Sequence, residues 1–459
     1  MMYKHRQANS LHWLVLSNIM VIAFAACMSL FSYDHLLSSL YLLSLLIVVV
    51  QLKSYFRMLD LSFWFISCYL LLFYINPIYS ELLNVELFDV FGLISRQSFI
   101  VFSYFTIVSI HIFLFFSSIC GRVVKNRYEN KIVEYQLIKP EKLTRCLMIL
   151  TLSIFLLIAS DVGLSFIFSL TRGELRESRG GLSLLALYLA YATLPLIFLS
   201  GYVFKKHSNY KILILVLFLD VFLFVIFRIR TFILAHLICF LGGILVSGNI
   251  SLEYTYRKLV LLFPLLIFIA IFVRFFRGYY ELYGFWGGLQ EVDVSLALYE
   301  SIILGDLGYS PVVMRLFDTF PDTINFLHGD SYMKLIYSFL PKFISGDRIV
   351  DTQALIGAHF YPYLSGMTLP PGVQGDAYIN FGYYGLLIFS IYGIVFPLSR
   401  LLNLNIRIIL FFSMFTTIFH FVRGAFANPV LIFIVIVISC FFFSYYLGFK
   451  VRINDTNNV

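Results

Sequence analysis

Charge is scarce in this chain. Only 13% of its 459 residues are Asp, Glu, Lys or Arg and 60% are hydrophobic, whereas soluble domains run at about 25% charged and about 45–50% apolar. A single water-soluble core cannot absorb that much apolar surface. Cysteine is sparse as well. The six, Cys27, Cys68, Cys120, Cys146, Cys239 and Cys440, share no metal-ligand spacing and none falls within 274–383. A disulfide framework and a zinc site are therefore excluded. The sequence also has no internal repeat, no low-complexity tract and no polar stretch long enough for a soluble domain. A net charge of +8 would suit a nucleic-acid binder. The basic residues, however, sit in short segments between apolar runs, the pattern of membrane topology, so no nucleic-acid partner is expected.

What is there is a series of membrane-length apolar runs. A helix needs about 20 apolar residues to cross roughly 30 Å of hydrocarbon. Spans are placed at 13–31, 36–52, 60–79, 98–119, 146–160, 182–203, 212–227, 231–249, 259–273, 384–399, 408–422 and 430–449. The first run follows MMYKHRQ and passes Phe24–Cys27 without a break, so it reads as a span and not as a cleaved leader. The expected fold is an all-α polytopic membrane protein, one integral membrane domain over 1–459 with about twelve transmembrane helices. With both termini cytoplasmic, every inner connection is basic, including the loop 121–145, which reads as a charged, solvated connector. The remaining long connection, 274–383, becomes one large extracytoplasmic loop.

The two sides differ in the kind of basic residue. All lysines except Lys334 and Lys342 fall inside, whereas 11 of the 20 arginines fall outside. A charge that only sets topology can be either residue. A charge that grips a phosphate favours Arg, whose planar fork meets two oxygens at once. Arg274, Arg277, Arg315 and Arg348 of the large loop, with Arg228, Arg230 and Arg423 from neighbouring outer turns, are candidates to converge on an anion at the membrane surface. Each alone reads as a salt bridge or headgroup contact; a phosphate site is the best single account of them together. Tyr279, Tyr280, Tyr283, Phe285 and Trp286 offer flat faces to pyranose rings, or else anchor the loop in the interface. Tyr332, Leu335, Ile336 and Phe339 are spaced for one face of a short interfacial helix. Asp220, mid-span, lies eight residues before Arg228, and His236 lies six after Arg230. At about 1.5 Å per residue they reach similar depths on adjacent antiparallel helices, so they are expected to face each other as a structural pair.

The stretch YSFLPKFISGDRIVDTQALIGAHFYPYLSGMTLPPGVQGDAYINFGYYG (337–385) resembles the end of the large outer loop in Wzy-type O-antigen and polysaccharide repeat-unit polymerases. The matching elements are FLP with Arg348 after it, Ser365-Gly366 with Leu369 and Pro371, and GDAYINFGYYG at 375–385. IRTF (229–232) resembles the family's Arg at the head of a membrane helix, VRFFRGYY (273–280) the basic opening of its large loop, and FVRGAFANP (421–429) its last outer turn. Arg277 and Gly288 have the Arg-x10-Gly spacing of some members, and Asp376 stands where many have Glu.

The resemblance implies a GT-C-like fold in the bacterial inner membrane and a glycosyltransferase reaction. A growing glycan on undecaprenyl pyrophosphate is passed to a hydroxyl of a fresh lipid-linked repeat unit, building O-antigen or capsular polysaccharide at the outer face. It implies membrane lipids, a chain-length regulator and a flippase as partners, and no cofactor. The candidate base is Asp376, with His359 second. The pyrophosphate would meet Arg230, Arg274, Arg277, Arg348 and Arg423, and the sugars would stack on Tyr279, Tyr280 and Trp286. Glu291-Val292-Asp293 is a carboxylate pair without a nucleotide fold around it, so no metal is expected. Two rivals stand beside this reading. An O-antigen ligase typically carries a His-Asn/Ser-x-x-Leu element, which His359-Phe360-Tyr361-Pro362 does not fit. A lipid-linked oligosaccharide flippase has short loops and two related halves. On the polymerase reading, Arg348→Ala and Arg277→Ala insert normally but make no long chains; a glycan ladder of normal lengths from either variant, seen by gel, counts against the arginine clamp.

Overall fold

The computed structural model describes residues 15–28, 36–57, 59–83, 86–89, 92–123, 132–137, 139–163, 181–227, 230–247, 309–337, 352–363, 368–425 and 427–454, and the single positions 258, 268 and 293. Helices dominate. Within the described residues, every expected span coincides with a helix; the expected span 259–273 lies outside them apart from one position. Among the described residues, seven helices or continuous helical runs are long and apolar enough to cross a membrane: Leu37–Phe56, Ser62–Leu82, Arg96–Gly121, Pro140–Asp161, Leu182–His207, Gly372–Leu401 and Pro429–Leu447. An eighth arises if the broken pair Leu404–Ser413 and Phe415–Arg423 counts as one span, and Val15–Met28 and Phe232–Val246 are shorter apolar helices. The chain is an all-α polytopic membrane protein at this level of description.

The outer faces of these helices are apolar in helical steps. Leu42, Leu46 and Val50 are exposed along one helix, and Ile149, Leu152 and Leu156 along another. Rows of exposed Leu and Ile spaced by three or four residues are what lipid covers and water does not.

By its internal contacts the chain divides into two compact units. The first comprises Met1–Asn126, Asp293–Leu401 and Thr417–Leu431. Its interior is aromatic: Phe65 stacks on Phe113 with ring centres 4.4 Å apart and touches Phe396 at 5.3 Å. A line of polar side chains runs through the same interior. His111 bonds Asn18 Oδ1 through Nδ1 at 2.7 Å and Ser44 Oγ through Nε2 at 2.8 Å. An amide oxygen only accepts, so Nδ1 carries the proton and Nε2 accepts from Ser44, whose oxygen in turn accepts from the Tyr74 hydroxyl at 2.6 Å. A neutral His111 thus ties the Val15–Met28, Leu37–Arg57 and Arg96–Val123 helices. At another point Asp60, fully buried, accepts from Arg400 Nε at 2.6 Å and from the Ser62 amide at 2.8 Å.

The second unit comprises Arg127–Val292, Leu402–Thr416 and Ile432–Val459. Its tightest packing is between the Leu194–His207 and Arg230–Val246 helices. A Cβ on Gly201 would lie 2.0 Å from Phe240 O, and one on Gly243 2.0 Å from Phe198 O. Only glycine at both places lets the two backbones touch, the small-residue crossing typical of helices in lipid. The loop 121–145 departs from the expected solvated connector. Its Ile132–Leu137 segment is a strand, paired antiparallel with the C-terminal Phe449–Asn454, with Ile132 opposite Asn454 and Leu137 opposite Phe449. A second small pair, Phe88–Asp89 with Gly92–Leu93, closes a turn in the first unit. Propensity gave no warning of either, because two-stranded pairs of this size depend on the partner strand and not on a long periodic run.

The buried Asp60–Arg400 pair yields a stability test. Removing one partner leaves the other charge unpaired in an apolar interior, so Asp60→Asn or Arg400→Met alone costs about 3–5 kcal/mol. The double variant Asp60→Leu/Arg400→Met regains most of it. Thermal unfolding in detergent measures this, and three equal midpoints would show that the pair contributes nothing.

Candidate functional site

The candidate site grows out of the GDAYINFGYYG stretch. Residues Gly372–Phe381 form a helix, buried from Gly372 to Asn380, so Asp376, expected within the large loop 274–383, stands on a packed helix. The apolar helical run that holds the expected span 384–399 begins here, at Gly372. The helix ends at Gly382, whose φ of +57° only glycine adopts freely. A short 3₁₀ turn, Gly382–Gly385, follows, and a Cβ on Gly385 would meet Ala377 O at 2.5 Å. The motif's two later glycines therefore fold the chain back against the turn of helix that carries Asp376.

Asp376 is 1% exposed. Its Oδ1 accepts from the Ser331 hydroxyl at 3.2 Å and from Asn380 Nδ2 at 3.5 Å. Asn380 also donates to Ser331 Oγ at 2.7 Å and to Asp376 O at 2.7 Å, and accepts from the Gly329 amide at 3.2 Å. One amide thereby pins the Gly329–Ser331 turn, and with it the start of the Asp330–Tyr337 helix, over the carboxylate. Beside it the Tyr332 and Tyr392 hydroxyls lie 3.4 Å apart. Burial, with the Tyr392 phenol and the Asp376 carboxylate alongside, pushes Tyr332 well above the ordinary phenol range, so it stays a neutral donor. In this arrangement Asp376 holds a closed turn, with Ser331 and Asn380 on its Oδ1.

Arg423 ends the Phe415–Arg423 helix, half-buried, with its guanidinium carbon 5.4 Å from the centre of the Tyr309 ring. Tyr309 precedes the Ser310–Thr319 helix, and its ring edge is 3.5 Å from where a Cβ on Gly372 would be. Tyr309 thus stands between Arg423 and the start of the Asp376 helix. His359 lies elsewhere: it is exposed near the end of the Thr352–Phe360 helix, its ring edge-on to Phe360 at 5.0 Å. An exposed His359 and a closed-off Asp376 do not form one catalytic pair.

Arg230 opens the Arg230–Val246 helix, as the family's arginine at a helix head would. Arg274, Arg277, Arg348, Tyr279, Tyr280 and Trp286 lie outside the described residues. Arg315 departs from expectation. Its Nη2 donates to Gly92 O at 3.1 Å and Leu93 O at 3.2 Å, so part of its guanidinium holds a turn. The expected helix at 331–343 is present as Asp330–Tyr337, with Ile336 exposed. Sequence reading missed Ser331 and Asn380. The signal available was Asn four residues after Asp on one helix face, which brings the two side chains together.

In the second unit, Asp220 and His236 do face each other: His236 Nδ1 is in contact with Asp220 Oδ1. His236 Nε2 is 3.1 Å from Thr193 Oγ1, whose own proton goes to Ala190 O at 2.6 Å. With that hydroxyl committed, Nε2 donates to it. No protein-family model, no curated protein and no solved structure matches the chain.

The Asp220–His236 contact carries its own test. Asp220→Ala leaves a fully buried imidazole nitrogen without a partner, at about 1–3 kcal/mol. The unfolding midpoint of the purified protein falls by several degrees, and adding His236→Leu to Asp220→Ala raises it again. A midpoint unmoved by Asp220→Ala would mean the contact does not hold the helices.

Proposed function

We propose that the chain is a membrane glycosyltransferase that joins undecaprenyl-pyrophosphate-linked oligosaccharide repeats into O-antigen or capsular polysaccharide at the outer face of the bacterial inner membrane. The observation that carries this reading is the placement of Asp376 and Arg423. Both belong to stretches with the polymerase resemblance, 375–385 and 421–429, and Tyr309 links their surroundings.

On this reading the acceptor sugar's hydroxyl oxygen attacks the anomeric carbon of the growing chain. The anomeric carbon–oxygen bond to pyrophosphate breaks, the electron pair leaves with undecaprenyl pyrophosphate, and the hydroxyl proton passes to Asp376. Negative charge grows on the leaving group, and arginines placed in advance meet it, each well-aimed donor contributing about 3–4 kcal/mol. Arg423 is one; Arg230, Arg274, Arg277 and Arg348 are assigned the same task from their places in outer connections. Tyr279, Tyr280 and Trp286 are assigned to the sugars, and His359 is held as the second candidate base.

The topology belongs to the same proposal: about twelve crossings, a GT-C-like arrangement, both termini cytoplasmic and 274–383 outside. Contacts within each unit support its parity. The strand Ile132–Leu137 pairs with Phe449–Asn454, Asp60 with Arg400, and Arg315 with the Gly92–Leu93 turn. Each contact joins two segments that the crossing scheme assigns to one side.

Two experiments test the function. Loss of the gene leaves surface glycan with one repeat per anchor; complete absence of repeats would indicate a ligase or flippase instead. Asp376→Asn keeps an oxygen for Ser331 but cannot take the proton, so it inserts and folds yet loses at least about a hundredfold in chain elongation. Elongation at the normal rate would remove Asp376 from the chemistry.

A further inference from the structure

A cavity of about 340 Å³ lies in the first unit, between the end of the Ile75–Leu83 helix and the start of the Arg96–Val123 helix. Ser80, Glu81, Glu86 and Arg96 supply its polar wall, and Leu87 and Leu93 its apolar one. The Phe88–Asp89/Gly92–Leu93 hairpin frames it and is fixed twice. The Ile94 amide donates to Leu87 O at 2.9 Å, and Arg315 holds the carbonyls of Gly92 and Leu93. Arg96 is paired with Glu81 and stacked over Phe99 at 4.9 Å, which turns a donor and an acceptor side by side toward the cavity.

The lining selects its ligand by chemistry. Two carboxylates and one guanidinium leave a net negative wall, which repels phosphates and acidic headgroups. Four polar or charged side chains are the wrong surface for a lipid tail. A neutral sugar ring fits both walls. Its neighbouring hydroxyls donate to carboxylates and accept from Arg, and its C–H face lies on leucine. The volume falls at the small end of ligand pockets, about 300–1,000 Å³, the size for one or two rings.

The Ser310–Thr319 helix ties this cavity to Asp376. One side of it carries Arg315, on the hairpin; the other carries Val313, Leu316 and Phe317, which pack on the Gly372–Phe381 helix, Phe317 stacked on Tyr378 at 4.1 Å. A helix is about 10 Å across, so the cavity and the Gly372–Phe381 helix lie on opposite sides of one helix's width. We propose that the cavity bounded by Glu81, Glu86, Arg96 and Leu93 is a saccharide subsite that holds a neutral sugar of the glycan away from the reacting bond. The identity of that glycan rests on the proposed function; the site's preference for a neutral sugar does not.

The test uses the full-length protein in lipid nanodiscs. The probe is the lipid-free oligosaccharide hydrolysed from the host strain's own surface polysaccharide, with ethanolamine as a second probe, both titrated calorimetrically. Wild type binds the oligosaccharide and not ethanolamine. Glu86→Gln, at an exposed position, weakens it at least fivefold; Leu93→Trp, also exposed, fills the mouth and weakens it at least tenfold. Oligosaccharide binding indifferent to both cavity substitutions, or ethanolamine bound in its place, overturns the subsite. No oligosaccharide binding by wild type, in a strain whose deletion abolishes long chains, also overturns it and leaves the polymerase reading standing. Cavity-dependent binding in a strain whose deletion leaves chain length normal upholds the subsite and rejects the polymerase reading.

Discussion

A polar atom carried into a bilayer has no water to bond, so every one of them must find its partner inside the protein. Most of what is distinctive here follows from that constraint. Asn18, Ser44, His111 and Tyr74 lie in a single chain of hydrogen bonds because none could face lipid. Asp60 and Arg400 are paired in the interior, and Asp220 meets His236 against Thr193. Leu16, Leu42 and Leu46 of the same helices look outward, where lipid is the better solvent. A soluble protein of this composition would reverse both choices.

The same constraint makes Asp376 informative. A carboxylate closed off among apolar helices is expensive unless bonded, and Ser331 and Asn380 supply that bonding. Their bonds also fasten the Gly329–Ser331 turn, so whatever opens that turn exposes the carboxylate at the same moment.

One short helix, Ser310–Thr319, joins the Asp376 helix to the rest of the first unit. Arg315 on one side holds the hairpin that walls the Glu81–Arg96 cavity, and Phe317 on the other stacks on the Asp376 helix. Arg315 was a candidate for gripping phosphate because it is an outer arginine in a basic loop. Two backbone carbonyls accept from its Nη2, and a guanidinium bonded to a turn positions a wall more rigidly than a lysine would.

The sequence by itself determined that the chain is built of apolar helices and where those among the described residues run, because hydropathy accumulates over some twenty neighbouring residues and needs no knowledge of the fold. It also determined that Asp220 and His236 meet, since two helices joined by a short turn must bring equal depths together. Only the tertiary structure decided that Ser331 and Asn380 enclose Asp376, that His359 stands apart on an exposed helix end, that residues 132–137 pair with 449–454, and that Glu81, Glu86 and Arg96 share a cavity. Most of those contacts join positions far apart in the chain. Their geometry is set by how helices pack against one another, and helix periodicity records which face is buried but not what it is buried against.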